Sequence, residues 1–437
     1  MRVVHAGTAK CDAQLALLAA RGDADDLGVA STVREILDAV RQRGDAAVCE
    51  YTTRFDRVTL TPERMAFSRD DYEKAYRAAD PRVVEALRYA AERIRSFHQR
   101  QVRQGYRYEA GSGISLGQII RPLAAAGIYV PGGKAAYPST VLMNAIPAKV
   151  AGVERVVMVS PTPGGEVNPH ILVAADLAGV DVGFRIGGAQ AVAALAWGTA
   201  SVPRVDTIVG PGNIYVATAK KMVFGQVNID MIAGPSEILV IADDSAHPAF
   251  VAADLLSQAE HDELASAILV TPSEDLAKAV EKQVAAQLKV LPRVRIAKQS
   301  IKRFGTIIIT ASLEEAVQVA NRVAPEHLEL AVADPEALLP AIHNAGAVFL
   351  GHYTPEAIGD YVAGPDHVLP TGGTARFSSP LNVDDFIKKT SVIRYGRQAF
   401  LDVADTCKTL SDVEGLTAHS HSVTVRLQTP PGELPPG

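Results

Sequence analysis

In the stretch Asn321-Arg-Val-Ala-Pro-Glu-His-Leu-Glu-Leu330, the carboxylate Glu326 adjoins the imidazole His327. Such a pair offers two groups whose protons can be moved near neutral pH. Pro325 disfavours a helix running straight through and fixes how the pair enters the next element. Taken alone, the dipeptide reads first as a surface acid and a capping histidine at a strand entry. Its neighbours elsewhere in the chain decide whether it is chemistry.

Three glycine-rich loops come next: Gly127 to Thr140, Gly187 to Gln190 and Gly210 to Asn213. Glycine lets a backbone approach a phosphate, and a helix N-terminus offers unpaired N–H groups. None is a GxGxxG, because Tyr215 stands where the third glycine would fall. Gly132-Gly-Lys134 lacks the spacing of a Walker loop. Each alone suits a tight turn. Three at strand–helix junctions of one sheet point to a nucleotide or dinucleotide at the carboxyl ends of the strands.

Metal-ligating residue types are scattered. Gln258 and His261 share a helix face at i, i+3, while Glu260 points elsewhere. Asp360, His367, Glu414, His419 and His421 come from distant segments, and no HExxH is present. Zinc with nitrogen and oxygen ligands is chemically possible, but spacing does not assemble these residues.

The elements that must position these groups alternate in type. Ala30 to Tyr51, broken near Gly44, and Ser68 to Gln101 have helical periodicity; Ile114 to Pro122 is strand-like. From Gly127 to Asp243, and again from Ile238 to Leu350, short apolar runs alternate with helices. This predicts βαβ units and parallel sheets. A helical pattern runs from Val413 towards Val425, and the Pro-rich end Thr429 to Gly437 is expected to be disordered.

Composition agrees with that architecture. The 437 residues are 48% hydrophobic but only 5% aromatic, which suits buried parallel strands under Ala-rich helices. A net charge of −6 gives no footprint for nucleic acid. Cys11, Cys49 and Cys407 lie far apart without CxxC spacing, which fits a reducing compartment. No signal peptide or membrane-length apolar run is evident, so a cytoplasmic enzyme without membrane partners is expected.

In order along the chain, Gly127-Ile-Tyr-Val-Pro-Gly-Gly133, Gly187-Gly-Ala-Gln190, Val209-Gly-Pro-Gly-Asn213 and Ala233-Gly-Pro-Ser-Glu237 precede Asp254 to His261. Ala324-Pro-Glu-His-Leu328, Gly359-Asp-Tyr361, His367-Val-Leu-Pro-Thr371 and Leu416-Thr-Ala-His419 follow. The chain resembles the histidinol dehydrogenase family in these segments, over nearly its whole length. The resemblance implies a zinc-dependent enzyme of histidine biosynthesis that oxidises L-histidinol through L-histidinal to L-histidine with two NAD. By motif, Gln258, His261, Asp360 and His419 would ligate one zinc ion per subunit. Ser236 and Glu414, with His327 and the zinc ligands, would hold the substrate. Tyr129, Gln190 and Asn213 would contact NAD, and Glu326 and His327 would be the acid/base pair.

The resemblance also implies a homodimer with shared active sites, Glu414 and His419 acting across the interface. The implied fold is α/β: two incomplete Rossmann-like domains with parallel-sheet βα units, one inserted in the other, plus small N- and C-terminal helical segments. The expected division is an N-terminal arm at 1–25, a first Rossmann-like domain at 26–128 and 237–381, a second at 129–236, and a dimer-crossing segment at 382–437. Two features depart from the family pattern: Asp366 stands where Asn is frequent, and His421 adds an imidazole near His419. The competing readings are a related zinc- and NAD-dependent dehydrogenase of another small alcohol, and a non-enzymatic nucleotide-binding protein that keeps the scaffold. Glu414 and His419, which would complete a histidinol pocket, speak against the first.

Overall fold

The structure is a computed structural model, and it describes residues 1–22, 27–132 and 137–429. Gly133 to Ala136 of the first glycine-rich loop, part of the expected arm and the Pro-rich end from Pro430 lie outside the described residues. The chain divides into two compact units: 1–101 with 123–386, and 102–122 with 387–437.

The described strands are, in chain order, β1 (Arg2–His5), β2 (Tyr106–Gly111), β3 (Ile114–Pro122), β4 (Ala125–Tyr129), β5 (Arg155–Val159), β6 (Val182–Phe184) and β7 (Thr207–Val209). They continue with β8 (Asn228–Ile229), β9 (Glu237–Ala242), β10 (Ser266–Thr271), β11 (Thr306–Ile309), β12 (His327–Ala331), β13 (Ala347–Leu350) and β14 (Ile387–Tyr395).

The first unit holds two parallel sheets. One has the order β6-β5-β4-β7-β8, the other β1-β11-β10-β9-β12-β13. Each winds outward on one side of a central strand, β4 or β9, and then returns to the other side. The reversals fall between β4 and β7 and between β9 and β12, as in doubly wound folds. The strands read as unbroken apolar runs because helices cover both faces. Small residues bring those helices close. A Cβ at Gly127 would meet Leu195 at 3.0 Å, so the helix Gly188–Trp197 lies directly on β4.

Several expectations change. The first residues are no irregular arm: β1 pairs in parallel with β11 and buries Val4, a run too short for periodicity to reveal. The helices Leu27–Arg43 and Asp45–Asp56 share a core with Tyr129, Val157 and Ile208. The helix Pro81–Gln99 packs against Ile128 and Met158. These helices therefore belong with the five-stranded sheet, not with the six-stranded one, and a boundary at 128/129 would cut β4. The helix expected over 68–101 is two, Arg69–Ala78 and Pro81–Gln99, because the residue before a proline resists helical geometry. Val294–Phe304, left unassigned in the sequence, is an amphipathic helix.

The second unit is the antiparallel sheet β14-β3-β2 with the helices Arg397–Val413 and Thr417–Gln428. Its C-terminal part is thus not helical alone. The pairing of β14 with β3 joins segments more than 260 residues apart (387 − 122 = 265), a distance at which local patterns carry no information. Gly415, at φ 70, makes the break between the two helices.

Candidate active site

Glu326 and His327 enter β12 after a left-handed turn. The helix Leu313–Val323 ends at Ala324, φ 52, and Pro325 prevents its continuation. Both side chains are buried, at 7% and 4% exposure. The neighbouring strand β9 begins at Glu237 and holds them through its backbone. The Glu237 N–H donates to the Glu326 carboxylate at 2.8 Å, and the Glu237 carbonyl lies 2.9 Å from His327 Nδ1.

A carbonyl can only accept, so Nδ1 carries the proton and Nε2 keeps its lone pair. That Nε2 is buried and has no hydrogen-bond partner. Burial holds His327 below the ordinary histidine value, so the imidazole is neutral and basic at Nε2. Burial pushes Glu326 well above the ordinary carboxylate range, and the Glu237 charge pushes it the same way.

Around Nε2 stand possible metal donors. His261, Glu356 and Asp360 each offer a ligand atom, all within 4.8 Å of one another. Asp360 Oδ1 is 3.9 Å and Glu356 Oε1 4.0 Å from His327 Nε2. Gln258 is fully buried, its amide nitrogen towards the Glu356 carboxylate and its oxygen 3.0 Å from the Glu237 N–H. Burial raises Glu356 well above the ordinary range, with Asp360 and Glu326 adding to it. Carboxyls packed this closely out of water need protons or a cation. One imidazole and two carboxyls on this spacing fit a zinc-sized cation.

The structure thus brings Gln258, His261 and Asp360 together and adds Glu356, which the sequence analysis did not name. The signal existed: Glu356 and Asp360 are four apart on the helix Glu356–Tyr361 and share a face. His367 also lines this region, with Nδ1 3.0 Å from the Asp360 carbonyl. Ser236 is half-buried immediately before β9. Glu414, His419 and His421 belong to the second unit, where all three are exposed.

Tyr129, Gln190 and Asn213, the residues expected to contact NAD, sit at the carboxyl ends of β4, β6 and β7, and β4 and β7 flank the topological reversal, where dinucleotides bind in such folds. Gln190 fits a ligand best: it is 1% exposed, in the first turn of its helix, and its Oε1 has no partner. Asn213 caps the helix Ile214–Val223, its Oδ1 accepting from Tyr215 and Val216 N–H. The side chain of Tyr129 is committed to the protein. Its phenol is buried, pushed up to about 12 by that burial, and accepts from the Gly188 N–H at 3.0 Å.

The glycines here also do something other than admit a phosphate. A Cβ at Gly210 (φ 106) would lie 2.3 Å from the Tyr129 carbonyl, and one at Gly187 2.4 Å from Pro161. They let the strand-end loops pack on each other. A buried Lys220–Asp230 pair then clamps the Gly210 turn, with Nζ 2.8 Å from the Gly210 carbonyl and Asp230 Oδ2 2.8 Å from its N–H.

The histidinol dehydrogenase family model matches residues 19–427. The chain is 58% identical to the histidinol dehydrogenase of Syntrophotalea carbinolica over 428 residues, 98% of this chain and 99% of that one. It is 54% identical to that of Geobacter sulfurreducens, over 98% and 100% of the two chains. The crystal structure of histidinol dehydrogenase from Elizabethkingia anophelis superposes with a TM-score of 0.91 at 37% identity, covering 98% of each chain. The chain belongs to the histidinol dehydrogenase family.

Proposed function

We propose that the protein oxidises L-histidinol to L-histidine by way of L-histidinal, with two NAD, in the last steps of histidine biosynthesis. The observation that carries the mechanism is the state of His327: its proton is on Nδ1, and a bare Nε2 faces the donor cluster. In the first oxidation Nε2 takes the alcohol proton as hydride leaves the carbinol carbon for the oxidised nicotinamide. This gives aldehyde, NADH and one proton. In the second, Glu326 takes a proton from water as its oxygen adds to the aldehyde. The hydrate then gives up hydride to a second NAD, leaving the carboxylic acid. Two acceptors serve two different protons.

Gln258, His261, Asp360 and Glu356 surround the place where zinc would be held, and Tyr129, Gln190 and Asn213 the place where NAD would be held. Zinc, when bound, supplies a fixed positive charge that orients the substrate's imidazole and amino nitrogens. Ser236, half-buried immediately before β9, would contact that substrate. The buried setting of the pair keeps histidinal away from bulk water.

We also infer a homodimer in which Glu414 and His419 complete the partner's site, His419 serving as the further zinc ligand. The apolar residues around Glu414 support this: Leu410, Val413 and Leu416 are 61%, 82% and 42% exposed, a patch that suits burial against a second copy. A cytoplasmic setting accords with three free cysteines and with no described helix long and apolar enough to cross a membrane. Incubation with L-histidinol and NAD tests the function: two NADH are expected per histidine formed. Turnover of another small alcohol with none of histidinol would transfer the site to the related-dehydrogenase reading.

A further inference from the structure

Glu237 touches both members of the catalytic pair, and its own side chain is tied to the N-terminal segment. Its carboxylate pairs with Arg21, whose side chain is only 3% exposed. The same carboxylate accepts from the Gly372 N–H at 3.1 Å and from the Glu326 N–H at 3.4 Å. The bonding with Glu326 is reciprocal: the Glu237 N–H serves the Glu326 carboxylate, and the Glu237 carboxylate serves the Glu326 N–H.

Arg21 follows the helix Ala9–Ala19, and its guanidinium lies over the Phe304 ring at 5.5 Å. Its Nε and Nη1 are buried without partners, so Glu237 is its one ion partner among the described residues. An arginine so enclosed needs its counter-charge, and the counter-charge needs it. The Glu237 carboxylate is bonded to Arg21 and to two backbone N–H groups, not to His261, Glu356 or Asp360.

We propose that Arg21 and Glu237 form a positioning pair that fixes the backbone of Glu326 through its N–H, so that the N-terminal segment sets the geometry of the water-activating base. His327 is held by the Glu237 carbonyl, which the side-chain pair does not supply. The pair therefore acts on Glu326 selectively.

The proposal rests on Glu326 serving the aldehyde step, and the test separates the two ideas. Zinc- and NAD-loaded enzyme is assayed with L-histidinol and, separately, with L-histidinal. If the wild type oxidises histidinol but not histidinal, the assignment of Glu326 fails before any variant is compared. Arg21→Met is expected to slow histidinal oxidation by about 10-fold or more while histidinal KM and the histidinol step change by less than about 3-fold. In the double variant Arg21→Met/Glu237→Gln, the stranded buried charge is gone while the new amide oxygen can still accept from the Glu326 N–H. That double variant is expected to recover to within about 3-fold of wild type.

Equal loss in both half-reactions, or a double variant no better than Arg21→Met, would make the pair a purely structural one. Where Arg21→Met does not fold, Glu237→Gln and the double variant give the same comparison. A folded Arg21→Met, or a folded Glu237→Gln in its place, with unimpaired histidinal oxidation overturns the proposal.

Discussion

Glu326 and His327 are adjacent in sequence yet do not bond to each other: His327 Nδ1 is 3.7 Å from the Glu326 carboxylate, because Glu237 claims both. In the proposed reaction they would act as two separate proton acceptors rather than as a relay. Glu326→Gln is accordingly expected to cut histidinal oxidation by about 100-fold or more while histidinol oxidation falls by less than about 5-fold. Single-turnover measurement of the first and second NADH checks this; an equal drop in both would reject the division.

The donor cluster predicts a metal dependence that is visible without turnover. His261→Asn should bring bound zinc well below one per chain in purified protein, with activity falling in proportion. Elemental analysis decides. A variant with a full complement of zinc removes His261 from the ligand set.

Gln190 offers a buried acceptor with no partner, and a cofactor amide or hydroxyl would satisfy it. Gln190→Ala is expected to raise the KM for NAD by about 10-fold, the equivalent of about 1.4 kcal/mol. The histidinol KM should stay within about 2-fold. An unchanged NAD KM would place the dinucleotide elsewhere.

Asp366 makes stability depend on pH. It is fully buried, its Oδ2 has no partner, and burial raises it well above the ordinary range. The facing His98 Nε2, 3.8 Å away and also unpartnered, belongs to an imidazole that burial keeps neutral. A carboxyl raised in the folded state contributes fully below about pH 4, and that contribution is lost as pH rises through the folded value. Asp366→Asn escapes the loss. Its advantage over wild type in urea unfolding should grow from pH 5 to pH 8, reaching about 1–3 kcal/mol. A difference that stays flat with pH would mean the carboxylate is ionised throughout, paired with a charged His98.

The sequence made the strand–helix alternation legible because buried strands and amphipathic helices leave local patterns. Thr207–Val209, Thr306–Ile309 and Ala347–Leu350 fall where their apolar runs place them. Gln258 and His261 were legible as i, i+3 neighbours, although the helix stops at Ala259 and His261 sits on the turn that follows, its N–H donating to the Gln258 carbonyl. Glu237 was not: it works largely through its own N–H and C=O, which every residue has, so its type carries no signal. Tyr129, named through the family motif, has a buried phenol that accepts from the Gly188 N–H, a contact that no local pattern encodes. The partnership of β14 with β3, like that of Arg21 with Glu237, lies beyond any local window.

The six-stranded sheet carries its chemistry on an unexpected rim. Glu237 and His327 open β9 and β12, and Gln258 lies in the helix that leads to the start of β10. The amino-terminal rim thus holds the pair, whereas the proposed NAD residues lie at the carboxyl ends of the five-stranded sheet. The turns that leave β10, β11 and β12 at the far rim, near Ser273, Ser312 and Asp334, are free of that duty. For protein engineering they are the places to open the chain, graft a reporter or add a tether, since lengthening them leaves every strand start in register.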